Sequence, residues 1–227
     1  MDKTVKKVIL WGGRSKARII IEMLNEIYGS SVEVIAIFDR TLSKLPFKSD
    51  IRHYSLNSDL NDICKQSTHF IICMGGEHGY ARYLIAKKFE ELGLKPLSLV
   101  SKYSILDHLE SVGSGLQVMP GAVVHKFSII GDQCILNTNS TIDHECVIGN
   151  GVHIMGSASI AGCVKIGHYS TVGTNATILP NIKIGNNVYI GAGAVVTNDI
   201  KNNEIVIGVP AKFLRYFSPE IDLSPFE

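Results

Sequence analysis

The 227-residue sequence predicts a two-part fold: an α/β unit built on a parallel sheet, then a triangular parallel β-helix. Three observations predict it. The first hundred residues alternate apolar strand patterns with helix patterns. From about residue 108 the apolar residues recur every sixth position. A second period of eighteen, marked by Ile/Val-Gly pairs, lies on top of the sixfold one. The expected boundaries are residues 1–107 for the α/β unit, 108–212 for the β-helix and 213–227 for a C-terminal tail.

The elements follow in order. "KVILWG" reads as a buried strand and "SKARIIIEMLNEIYG" as a helix ending at Gly29. "VEVIAIFD" is a second strand and "THFIICMG" a third. The helix "HGYARYLIAKKFEELG" and the strand "KPLSLVS" complete the series. Parallel strands need crossover connections, so strands alternating with helices imply a parallel sheet covered by helices.

In the second part the beat is Val112, Val118, Val124, Ile130, Leu136, Ile142, Ile148, Ile154, Ile160, Ile166, Val172, Ile178, Ile184, Ile190 and Val196. From Ser128 onward a small or β-branched residue stands two positions before each. Period six inside period eighteen means three short faces per coil, with each apolar residue pointing inward. The glycines at 113, 131, 149, 167 and 185 are expected to allow tight bends. Stacked coils bury a continuous core that no single coil can bury. The beat is lost at Asn202 and Asn203.

Composition excludes several functions. A formal net charge of +1 favours neither nucleic acid nor an anionic membrane surface. No apolar run reaches the ~20 residues of a spanning helix. The apolar run after the N-terminal lysines is only "VILW", too short for a signal peptide. Five cysteines without paired spacing read as reduced thiols of a cytoplasmic protein. Cys146 and Cys163 fit small inward positions and read as core filler.

His144 lies two residues past the inward Ile142, so its side chain leaves the core, and Asp143 and Glu145 flank it. A carboxylate beside an imidazole stabilises the protonated ring and makes the neutral ring a better base. His153 also lies off the inward beat and is free to face a cleft. A zinc site of three histidines is disfavoured, because no HxxxxH spacing occurs among His144, His153 and His168.

The coils resemble the hexapeptide-repeat acyltransferases, whose β-helices are left-handed, and "GVPAKFLRY" resembles that family's exit from the helix. "NTNSTIDHECVIGNGVHIMGSASIAGCVKIG" is closer still to the sugar-nucleotide N-acetyltransferases, such as the bacillosamine-pathway enzyme. Sialic acid O-acetyltransferases have a similar architecture. The resemblance implies a Rossmann-like nucleotide-sugar domain followed by a left-handed parallel β-helix of hexapeptide repeats. It implies a homotrimer with active sites between neighbouring helices, acetyl-CoA as cosubstrate and no metal. By the same resemblance His144 is the general base and Glu145 raises its basicity. His153 sits near the thioester and Asn137 lines the pocket. Gly162 offers an N–H to the acetyl carbonyl, and Thr174 and Ala192 contact the pantetheine arm.

In the first part, the glycine turns "WGGRSKA" and "MGGEHG" open helices, where backbone N–H groups favour anions. The first does not match GxGxxG, so it gives dinucleotide binding little support. The resemblance puts Arg14, Ser15, Lys16, Asp39, Arg40 and Gly75 in a nucleotide site. Relatives read "GAGGHG" or "GASGHG" at the first turn. Here Ser15 and Lys16 replace a glycine and a histidine, and Arg40 stands where a second acid is common. The nucleotide therefore stays open between UDP, dTDP and GDP. The implied activity is N-acetylation of a nucleotide-linked 4-amino-4,6-dideoxy sugar. Sugar O-acetylation and non-catalytic sugar-nucleotide binding are the alternatives.

Overall fold

A computed structural model describes residues 5–226. Residues 1–4, which begin the stretch weighed above as a leader, lie outside the described residues. The chain divides into two compact units. Among the described residues, one holds 5–74, 84–99 and 221–226, the other 75–83 and 100–220. The solenoid thus begins at residue 100, not 108. The tail splits too: residues 213–220 stay with the second unit and 221–226 return to the first.

The first unit is a five-stranded parallel sheet in the order β3-β2-β1-β4-β5. Its strands are β1 (Lys6–Trp11), β2 (Val32–Phe38), β3 (His53–Tyr54), β4 (His69–Ile72) and β5 (Lys95–Pro96). Helix α1 (Ser15–Tyr28) joins β1 to β2 and stops at Gly29, which takes a φ of +53°. Helix α2 (Asn57–Gln66) and strand β3 have no counterpart among the expected elements. The helix buries Leu60, Ile63 and Cys64, at helical spacing. Trp11 centres the apolar core. Its ring lies 4.9 Å from Phe38 and stacks at 5.1 Å on Phe226, which the C-terminal segment supplies. The strand expected over "KPLSLVS" is divided: Lys95–Pro96 pairs with β4, and the chain then enters the solenoid.

In the second unit three parallel sheets of two-residue strands wind as a left-handed parallel β-helix. Each strand pairs with the one eighteen residues later, as in the series Val123, Thr141, Ser159, Thr177 and Val195. The inward residues from Val118 to Val196 are almost wholly buried, and so are their small partners from Ser128 to Ala194. Burying one such aliphatic side chain is worth about 1.5–3 kcal/mol. Val112 departs from the beat at 49% exposure. Its strand, Ser111–Val112, is the edge of its sheet, so no earlier coil covers it.

The corners turn at positions other than the expected glycines. Every sixth residue from Gly115 to Gly193 has a left-handed φ, between +53° and +73°. These positions include Asn139, Asn175, Asn181 and Asn187, and asparagine tolerates that conformation better than most residues. The glycines at 113, 131, 149, 167 and 185 are not among them. Their role is stacking: a Cβ on Gly167 would stand 2.6 Å from the Gly185 carbonyl carbon and 2.7 Å from the Asn186 nitrogen. After the last coil, Glu204–Ile207 pairs antiparallel with Lys212–Tyr216. Among the described residues, no helix is long and apolar enough to cross a membrane.

Candidate active site

One corner of the β-helix gathers the chemistry. The chain leaves the strand Thr141–Ile142, and the Asp143 carboxylate accepts a hydrogen bond from the His144 backbone N–H at 2.8 Å. Glu145 takes the left-handed corner position, with a φ of +58°. That turn brings Glu145 Oε2 to 2.9 Å from His144 Nδ1. Both side chains are about half exposed. A carboxylate only accepts, so the contact fixes the proton on Nδ1 and leaves the Nε2 lone pair available. The other flanking acid does not reach the ring; Asp143 lies 3.9 Å from His125 Nδ1.

One coil further on, Gly162 lies beneath the imidazole. A Cβ there would stand 2.6 Å from His144 Nε2. The absence of a side chain at 162 is therefore what gives the ring its place. Cys163 follows at the next left-handed corner, with its Sγ 4.0 Å from Glu145 Oε2. The core-filler reading of Cys163 is thus wrong: it lies three residues past the inward Ile160 and is partly exposed. Cys146 is buried, donates its S–H to the Ala161 carbonyl, and is pushed by burial up to about 11. His144, Glu145 and Cys163 each offer an atom of metal-ligand type, all within 4.8 Å of one another.

The other expected pocket residues lie elsewhere on the coils. Asn137, Thr174 and Ala192 occupy the corner that follows the sheet of Ile135–Leu136, Thr171–Val172 and Tyr189–Ile190. The His144 corner follows the sheet of Thr141–Ile142 and Ser159–Ile160. Within one chain these are different corners of the triangle. Thr174 and Ala192 are exposed, while Asn137 is half-buried and its Oδ1 accepts from the Thr138 N–H at 2.8 Å.

His153 is not open to a cleft. It is 4% exposed, and its Nδ1–H donates to the Gly76 carbonyl at 3.2 Å. Thr171, one coil on, donates to the same carbonyl. The segment of residues 75–83 covers this face, which the sixfold pattern could not reveal. Arg82 fastens the segment: it is fully buried and donates to the Gln133 carbonyl at 2.8 Å and the Gly151 carbonyl at 2.7 Å. Burial lowers its pKa to about 10, so it remains charged at neutral pH. Gly75 belongs to this same segment. His168 accepts from the Asn150 N–H through Nδ1 at 2.9 Å.

In the first unit the first glycine turn is clasped by Asp39. Its carboxylate accepts from the Gly13 N–H at 2.8 Å and from the Thr41 N–H at 2.9 Å. Arg14 reaches Thr41 Oγ1 at 3.4 Å. Ser15 lines a groove of about 400 Å³ with Arg18, Ile19, Glu22, Pro46 and Phe47. Lys16 acts on Cys73, partly offsetting the burial that raises that thiol to about 12. Arg40, expected in the nucleotide site, pairs with Asp222 and donates to Ser224 Oγ at 2.8 Å. The returning C-terminal segment supplies both partners.

The model of the bacterial transferase hexapeptide (six repeats) matches residues 145–179 and 170–198. No curated protein matches the sequence. PerB from Caulobacter crescentus, solved with CoA and GDP-perosamine, is 26% identical with a TM-score of 0.79. The alignment covers 93% of this chain and 98% of that one. The acetyltransferase domain of PglB from Neisseria gonorrhoeae FA1090 is 28% identical with a TM-score of 0.78, covering 92% and 100%. WeeI from Acinetobacter baumannii AYE, at 23% identity and a TM-score of 0.80 over 92% and 100%, shares the fold. By repeat and fold the chain is similar to the hexapeptide-repeat acetyltransferases. Within that class the chain resembles the sugar-nucleotide N-acetyltransferases over nearly its whole length.

Proposed function

We propose that the protein transfers the acetyl group of acetyl-CoA to the amino group of a nucleotide-linked amino-dideoxy sugar. It would act in the cytoplasm, in bacterial surface-glycan synthesis, with a UDP-4-amino-4,6-dideoxy sugar as the first substrate to test. The observation that carries this reading is the His144–Glu145 contact above Gly162. A base at this point needs a free Nε2 lone pair, and the Nδ1–Glu145 bond leaves one. PerB was solved with CoA and GDP-perosamine, and the PglB domain with acetyl coenzyme A, which supports the two substrate classes.

The transfer is direct. The amine nitrogen attacks the thioester carbonyl, and a C–N bond forms as the carbonyl becomes an oxyanion. His144 Nε2 accepts the amine proton, and the Glu145 carboxylate balances the charge on the ring. The Gly162 N–H is assigned to the oxyanion; one such donor is typically worth about 3–4 kcal/mol of barrier. Collapse breaks the C–S bond, and CoA leaves with the proton returned from the ring. The division of residues between two corners supports a homotrimer, in which the His144 corner of one chain meets the Asn137, Thr174 and Ala192 corner of another. The first glycine turn, with Arg14, Ser15, Lys16 and Asp39, is assigned to the nucleotide.

The test is CoA release from acetyl-CoA with a panel of UDP-, dTDP- and GDP-amino sugars. Release with at least one, lowered about 10²–10⁴-fold by His144→Ala, is expected. Release with a sialic acid and with no amino sugar overturns the N-acetyl reading.

A further inference from the structure

The acetyl-transfer reading assigns His144 and Glu145 but leaves Cys163 without a task. We infer that His144 Nδ1, the Glu145 carboxylate and the Cys163 thiolate form a binding site for a thiophilic divalent cation, zinc above all, that switches the base off. Imidazole, carboxylate and thiolate are the three ligand types zinc takes from proteins. His144 Nδ1 and the Glu145 oxygen stand 2.9 Å apart, the Glu145 oxygen and Cys163 sulfur 4.0 Å, and one ligand atom from each of the three residues lies within 4.8 Å of the others. Zinc bonds of about 2.0–2.3 Å at tetrahedral angles require separations of roughly 3.3–3.7 Å. Small side-chain rotations of half-exposed groups close the difference.

The placement distinguishes Cys163 from the other cysteines. Cys64, Cys73, Cys134 and Cys146 are buried, and their thiols are pushed up to about 11 or 12 by burial. Cys163 alone is partly exposed, and it stands one coil from Glu145 at the equivalent corner. The coil repeat therefore superposes thiol and carboxylate, and the left-handed turn at Glu145 swings the carboxylate to the ring.

The consequence for the base follows from proton accounting. A neutral imidazole holds one N–H. In the metal-free corner it is on Nδ1, bonded to Glu145. A cation on Nδ1 moves that proton, by exchange with water, to Nε2. The thiol releases its own proton to solvent as it becomes a thiolate ligand. The nitrogen that accepts the amine proton then carries one already, so transfer stops until the metal is removed.

Cobalt(II) tests the site directly, because thiolate ligation gives a near-ultraviolet charge-transfer band. Full-length protein stripped with a chelator is titrated with cobalt and then with zinc. The expected result is a band that saturates at roughly one equivalent per chain and is displaced by zinc. Cys163→Ser should lose the band and weaken zinc binding more than about 10-fold. This variant should fold, since Ser157 occupies another left-handed corner with a φ of +56°. Absence of the band, or equal zinc affinity in Cys163→Ser, overturns the proposal. The inhibitory consequence rests on the acetyltransferase reading and has its own arm. Zinc should inhibit CoA release reversibly in the unmodified protein and spare Cys163→Ser. A failed substrate panel leaves the cobalt result standing, so the two readings fail separately.

Discussion

His144 lies so close over Gly162 that a Cβ on the glycine would meet Nε2 at 2.6 Å and Cε1 at 2.8 Å. The backbone at 162 is not in the left-handed region, so alanine is conformationally acceptable there. The only conflict is with the far end of a histidine that can rotate. Gly162→Ala should therefore keep the fold and move the ring. A misplacement of about 1 Å costs on the order of 10²-fold in turnover. Far-UV circular dichroism and melting temperature should be near those of the unmodified protein, while kcat falls by about that factor. An unchanged kcat removes the base from this position.

Glu145 holds a corner conformation that asparagine occupies at 139, 175, 181 and 187. A glutamate there carries backbone strain of about 1 kcal/mol that asparagine relieves in part. Glu145→Asn should raise stability by roughly 0.5 kcal/mol and shorten the side chain beyond reach of the ring. Turnover should fall by about 10–10²-fold, because His144 loses the partner that sets its tautomer. Denaturant melts and initial rates on the same preparation check both halves.

Much of this was legible because a repeat converts sequence distance into space. His144 and Gly162 differ by one coil of eighteen residues, and so do Glu145 and Cys163, so the period alone places them together. The Ile/Val-Gly pairs were legible as a signal but not as a cause: the pattern does not say whether a glycine serves φ or lacks room for a Cβ. Cys163 stands three residues past the inward Ile160 and not two before an inward residue, so the repeat puts it at a corner and not in the core. His153 and Arg40 were beyond reach. Their partners Gly76 and Asp222 lie 77 and 182 residues away, and no repeat links those positions.

The two roles of glycine separate experimentally. Gly167 has backbone atoms of the next coil at 2.6 and 2.7 Å from a notional Cβ, whereas Gly193 has nothing within 4 Å and a φ of +67°. Gly193→Ala meets only conformational strain, about 1 kcal/mol. Gly167→Ala must push two coils apart and should cost about 3 kcal/mol. Equal losses of stability in chemical denaturation contradict the stacking role.

The buried thiols make the fold sensitive to alkali. Burial raises Cys64 and Cys146 to about 11 and Cys73 and Cys134 to about 12, from an ordinary value of 9.0. Below pH 9 these thiols are protonated folded or unfolded, and they contribute no pH dependence. Above it the unfolded chain ionises first and binds fewer protons than the folded one, so stability falls as pH rises. Each thiol adds a slope of about 1.4 kcal/mol per pH unit until its folded pKa is reached. Denaturation midpoints should therefore drop between pH 9 and 11, and less steeply in Cys134→Ala. At pH 8 a thiol reagent should modify Cys163 in the folded protein and reach the other four only after unfolding. Rapid native labelling of Cys73 or Cys134 contradicts their burial.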